Sequence, residues 1–152
     1  MADKSSIKPK KLDNKMYLSV SSRATSAYSS VAVDARVSVA SPHELITMLF
    51  DGVLESLAVA QGALKRQDTS AKGKAVNKGI LLLGEGLKGG LSPQGGEISQ
   101  NLSDLYDYCI LRLTQANLNN DEEAIEEVRA LIVTVADSWK SISHTELGDH
   151  NV

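Results

Sequence analysis

Three histidines, one cysteine and a glycine-rich run around a lysine are the residues of this 152-residue chain best suited to chemistry, and their spacing limits what they can do. A di-iron bundle enzyme needs Glu-x-x-His pairs projecting from facing helices. His43, His144 and His150 each lack a Glu three residues before them, so that chemistry is excluded and no metal site is assigned. Cys109, the sole cysteine, can form neither an internal disulfide nor a cysteine-only metal site. It falls inside an apolar stripe with no base or cation placed beside it, which reads as an inert core thiol. Gly86-Leu87-Lys88-Gly89-Gly90 lacks the spacing of a phosphate loop and lies within a helical pattern. No Gly-x-Ser-x-Gly and no Cys-His nucleophile arrangement occurs. The expectation is a non-enzymatic binding protein with no catalytic residue, metal or cofactor.

The elements that carry these residues are helical. Aromatic residues make up only 4% of the chain, so Leu, Ile, Val and Ala must fill the core, which favours helices over a β-sandwich. A chain of this length forms one domain. The net charge of -3 argues against a general nucleic-acid binder. Residues 1–23 nevertheless hold six basic residues against two acidic ones, while the remainder holds ten against seventeen. No apolar segment of secretory-signal type follows that basic stretch, and no uninterrupted apolar run reaches the length of a membrane span. The lone cysteine fits a reducing cytoplasm.

Ser41-Pro42-His43-Glu44 has the residue types of a capping box, and it predicts a helix over residues 42–66 whose apolar arc of roughly 180° exceeds what one neighbour needs. A second helix is expected over residues 71–91, with Val76, Ile80, Leu83, Leu87 and Leu91 on one face. Its six glycines make it poor by local propensity, leaving two readings open: an adaptable helix held by tertiary contacts, or a surface that lets another backbone approach closely. After the turn residues Ser92-Pro93-Gln94-Gly95-Gly96, a third pattern places Ile98, Leu102, Leu105, Cys109, Leu113 and Ala116 on one side, flanked by Tyr106, Ile110 and Asn117. Leu118-Asn119-Asn120 reads as a tight reversal. Asp121, Glu122 and Glu123 then open a fourth helix, whose Ile125, Val128, Ile132, Val135, Trp139 and Ile142 form a bundle seam.

Four amphipathic helices on short connections predict an all-α, antiparallel, up-down-up-down four-helix bundle with a flexible or short-helical N-terminal arm. The expected organisation is a basic, Ser-rich disordered arm over residues 1–27, the bundle with its N-terminal segment over 28–142, and a frayed tail over 143–152. Val53, Leu57, Leu83, Leu105 and Ile132 are expected in the core.

Several segments of this chain resemble the flagellar secretion chaperone family, FliS, in order and at matching intervals. They are Ser41-Pro42-His43-Glu44-Leu45-Ile46, Met48-Leu49-Phe50-Asp51-Gly52, Asn101-Leu102 with Leu105-Tyr106-Asp107-Tyr108, Gln115-Ala116-Asn117-Leu118-Asn119-Asn120-Asp121, Ile125-Glu126-Glu127-Val128 and Ala136-Asp137-Ser138-Trp139-Lys140. Tyr28-Ser29-Ser30-Val31 matches a tyrosine of the family's arm, and Met16-Tyr17 resembles its usual beginning, which leaves residues 1–15 outside the pattern. The resemblance implies a chaperone of the bacterial cytosol that binds the C-terminal segment of flagellin, prevents its premature polymerisation and presents it to the flagellar export gate. It implies no nucleic-acid partner, and it places partner contacts on the arm and the helix flanks, at Tyr28, Leu54, Tyr106, Ile110 and Asn117. The alternative is a homo-oligomeric structural or regulatory bundle that does not bind flagellin, and a weaker rival is a nucleic-acid accessory acting through the basic arm.

Overall fold

The hydroxyl of Ser41 accepts from the Glu44 backbone N–H at 3.1 Å, and the Glu44 carboxylate accepts from the Ser41 N–H at 2.9 Å. This capping box starts α1, Pro42–Lys65, in a computed structural model that describes residues 40–150, with side chains through residue 142. Asp68 caps α2, Thr69–Leu81, through the Ala71 N–H at 3.1 Å, which starts the helix two residues earlier than its apolar pattern. A single turn at Pro93–Gly95 leads to α3, Gly96–Asn119. Asn120 ends α3 in the left-handed conformation, a position that Asn tolerates well. The Asp121 carboxylate then accepts from the Ala124 N–H at 3.2 Å and opens α4, Glu122–His150.

The bundle is all-α among the described residues. Helix α1 packs beside α2 and α4, and α3 packs beside the same two, so α1 and α3 lie on one diagonal. Short reversals between consecutive helices make neighbours antiparallel. Expected core residues Val53, Leu57, Leu83 and Ile132 are fully buried, together with Leu49, Leu113, Ile125 and Val128. By length and composition α1 could cross a membrane, although it holds no continuous apolar run of that length. Here α1 serves as the central core helix, with nine of its residues buried.

Three departures from the sequence pattern have physical causes. Helix α2 does not stay α-helical to Leu91: residues Leu82–Lys88 wind as a π-helix, closed by the Gly89 N–H donating to the Gly84 carbonyl at 3.0 Å. Gly84 and Gly86 relieve the crowding of that wider turn, and Leu82, Leu83, Gly86 and Leu87 all stay buried. On α3 the core takes Tyr106, whereas Leu105 is only half-buried. Both precede Cys109 by about one turn, and it is the larger aromatic side chain that is enclosed. The last helix is continuous to His150, eight residues beyond the end of its apolar periodicity, since a helix already nucleated extends at low cost.

The indole of Trp139 closes one end of the bundle. It stacks on the His43 imidazole with centroids 4.3 Å apart and planes 10° from parallel. Its Nε1–H donates to Thr47 Oγ1 at 3.1 Å, and Lys140 reaches Asp51 at 3.1 Å one turn along. The start of α1 is thereby fixed to α4.

Candidate functional site

The flank residues expected to bind a partner occupy different sides of the bundle. Leu54 shares a stripe of α1 with Thr47, Asp51 and Gln61, which contact Trp139, Lys140 and Glu126 of α4. Leu54 is half-buried against the core on this α1–α4 side.

Ile110 lies on the opposite, α2–α3 side. A Cβ placed on Gly84 would stand 3.5 Å from Ile110 Cδ1, so the π-helical turn passes close over this half-buried side chain. Asn117 is on the same side, where its backbone and side-chain oxygens both accept from Lys72 Nζ, at 2.7 and 2.8 Å. Lys72 is almost wholly buried, and its charge caps the carbonyl end of α3, where a cation is favoured. Lys72 carries no functional motif in the sequence. Its one signal was a lysine spaced with Ala75, Val76 and Gly79 on the inward face.

Tyr106 is not a flank. It is 2% exposed and belongs to the core, and burial raises its phenol well above the ordinary tyrosine range. Its hydroxyl makes no hydrogen bond among the described residues. Tyr28 lies outside the described residues. Ile110 and Asn117 are therefore brought together, Leu54 faces away from them, and Tyr106 is withdrawn into the interior.

Two glycines settle part of the question left open for the second helix. A Cβ on Gly86 would stand 2.8 Å from Leu49 Cδ2, and one on Gly79 would meet Leu57 at 3.6 Å. These positions admit α1 side chains of the same chain. Gly84 and Gly73 face the α2–α3 side, where a Cβ would stand 3.5 Å from Ile110 Cδ1 and 3.9 Å from Asn117 Oδ1, respectively.

Helix α3 also carries an outward apolar spine that no sequence expectation names. Leu111 is 54% exposed and Leu118 79%, seven residues apart and opposite the buried stripe of Cys109, Leu113 and Ala116. The seven-residue spacing was the available signal. Beside this spine Tyr108 donates to Glu127 at 2.5 Å, and the Arg112 Nε–H donates to the other Glu127 oxygen at 2.9 Å. These hydrogen bonds, that from Tyr108 first, hold the Glu127 carboxyl below the usual carboxylate range. The cluster ties α3 to α4 and offers no nucleophile. Burial, then the nearby Glu127 charge, pushes the Cys109 thiol up to about 11, leaving it protonated and enclosed. No group of three or more His, Cys, Asp or Glu side chains among the described residues could hold a metal ion.

A protein-family comparison matches residues 24–146 to the model described as flagellar protein FliS. Over 118 residues the chain is 52% identical to the flagellar secretion chaperone FliS of Salmonella typhimurium, an alignment covering 77% of this chain and 87% of that protein. It is 44% identical over 123 residues to the flagellar secretion chaperone FliSB of Pseudomonas aeruginosa, covering 80% and 97%. The FliS of Bacillus subtilis is 31% identical over 115 residues, covering 76% and 85%.

Proposed function

Since the chain belongs to the FliS family of flagellar secretion chaperones, we propose that its cargo is flagellin, held in the cytoplasm by its C-terminal segment and passed to the flagellar export gate. The observation that carries this reading beyond family membership is the placement of half-buried apolar side chains on two opposite sides, Leu54 between α1 and α4 and Ile110 between α2 and α3. A single short helix cannot cover both. A long amphipathic segment wrapped around the bundle can, and its apolar face would then be unavailable for pairing with other flagellins.

Ordering such a segment costs about 2–5 kcal/mol or more, which apolar burial spread over a long contact must outweigh. Gly84 adds no side chain beside Ile110, whose Cδ1 lies 3.5 Å from where a Cβ would stand. Release needs no covalent step: separating the segment from a shallow, distributed contact is sufficient. The arm carrying Tyr28 is assigned to the same contact on the family resemblance.

Co-expression with flagellin tests the proposal. Full-length flagellin should co-purify with the chain, and flagellin lacking its C-terminal segment should not. Equal recovery of both forms, or of neither, contradicts it.

A further inference from the structure

Charge is divided unevenly along this chain. Residues 42–91, which span α1, α2 and the π-helical turn, hold five acidic and six basic residues, whereas residues 96–142 hold nine acidic and three basic, a net of -6. On α3, Asp104 lies on the same outward stripe as Leu111 and Leu118, Asp107 of that stripe is paired with Lys88 of the π-helical turn at 2.7 Å, and Glu123 is exposed at the start of α4. The outward face of the α3–α4 pair is thus an apolar spine within an acidic field. Residues 1–23, at net +4, carry the complementary pattern, with Ile7, Leu12 and Met16 set among Lys4, Lys8, Lys10, Lys11 and Lys15. They also precede residue 24, where the family match begins.

We propose that the basic segment at residues 4–23 docks on the outward face of α3, its lysines against the acidic residues of α3 and α4 and its apolar side chains over Leu111 and Leu118. Geometry permits it. The described chain begins at Ala40 beside the start of α1, at the end of the bundle where Trp139 meets His43 and where α3 also starts. Residues 24–39 can span at most about 55 Å when extended. The 24 residues of α3 extend over about 36 Å. The segment can therefore reach every part of that face. Attraction between a cationic segment and an anionic face falls steeply as salt shortens the screening length. This contact is separate from the flagellin reading, since it uses neither the Leu54 side nor the Ile110 side.

The enclosure of Cys109 makes a clean test available, because a thiol introduced at position 6 is the one a nitroxide reagent meets. In the full chain carrying Ser6→Cys and a nitroxide label, amide resonances of Asp104, Leu111 and Leu118 should broaden, and those of Lys74 and Lys78 on the outer side of α2 should not. Raising salt to about 1 M, where screening acts over about 3 Å, should restore the lost signals. Replacing Lys8, Lys10, Lys11 and Lys15 together by Glu should restore them as well, and Leu111→Ser with Leu118→Ser should weaken the effect. Absence of broadening, broadening centred on α1 or α2, or insensitivity to both salt and lysine replacement would overturn the proposal. So would broadening that appears only between separately labelled chains in a mixed sample, which would place the segment on a second copy.

Discussion

Lys72 on α2 and Asn117 on α3 are joined twice, the ammonium donating to both the main-chain and the side-chain oxygen of Asn117 within 2.8 Å. Hydrogen bonds to charged groups contribute about 1.5–3 kcal/mol, and a buried ammonium that loses its acceptors is costly. Asn117 thus holds two helices together before it can contact any partner.

Asn117→Ala should therefore lower unfolding stability by about 1–3 kcal/mol, and Lys72→Met by a similar amount. Combined, the two should cost less than their sum, because both remove the same interaction. Urea unfolding of the two single variants and the double variant measures the coupling. Additive losses would show that the pair does not act as a unit.

The π-helical turn separates two glycines that look equivalent in the sequence. Gly84→Ala places a Cβ in ordinary contact with Ile110 and should raise stability by about 0.4–1 kcal/mol by restricting the unfolded chain. Gly86→Ala drives a Cβ into fully buried Leu49 and should lower it by about 1–3 kcal/mol. Shifts of opposite sign in the denaturation midpoint, at constant slope, are the expected result.

How much of this was legible in the sequence depends on what each residue had to signal. The capping box at Ser41 and the seams of α1 and α4 are local patterns, and local patterns fixed the four helices and their antiparallel order. The exchange of Leu105 for Tyr106 in the core was not legible. Both residues sit about one helical turn from Cys109, so the periodicity alone does not choose between them. The π-helical turn was hidden for a related reason: Val76, Ile80, Leu83 and Leu87 fit an α-helical stripe, and nothing in that stripe marks the wider winding of Leu82–Lys88. The Lys72–Asn117 contact spans 45 residues and leaves no periodic trace.

Tyr106 distinguishes a core role from an interface role. Its hydroxyl has no partner among the described residues, so Tyr106→Phe should leave stability nearly unchanged, whereas Tyr106→Ala should cost about 3–5 kcal/mol through lost burial and the cavity left behind. Thermal unfolding of both variants checks this. A Phe variant that keeps its stability but loses flagellin binding would return Tyr106 to the partner contact.

Glu126 makes stability depend on pH in a defined window. Two hydrogen bonds from Arg129, at 2.9 and 2.7 Å, and then one from Gln61 of α1 at 2.9 Å hold its carboxyl down from 4.5 to about 2. A carboxyl depressed in the folded state stabilises the fold above its unfolded pKa, and that contribution is lost as pH falls through the folded value. Glu126→Gln should therefore be less stable than the unsubstituted chain near neutral pH, and the difference should shrink between about 4.5 and about 2. Denaturation midpoints across that range report it. A difference independent of pH would assign the effect to packing.

Titration calorimetry of the purified chain with a peptide of the flagellin C-terminal segment, run at several temperatures alongside circular dichroism, tests the central claim most directly. The account predicts one-to-one binding with a negative heat-capacity change and a gain of helix in the peptide, as expected when a segment orders onto apolar surface. No heat at any temperature, with full-length flagellin also failing to co-purify, would contradict it.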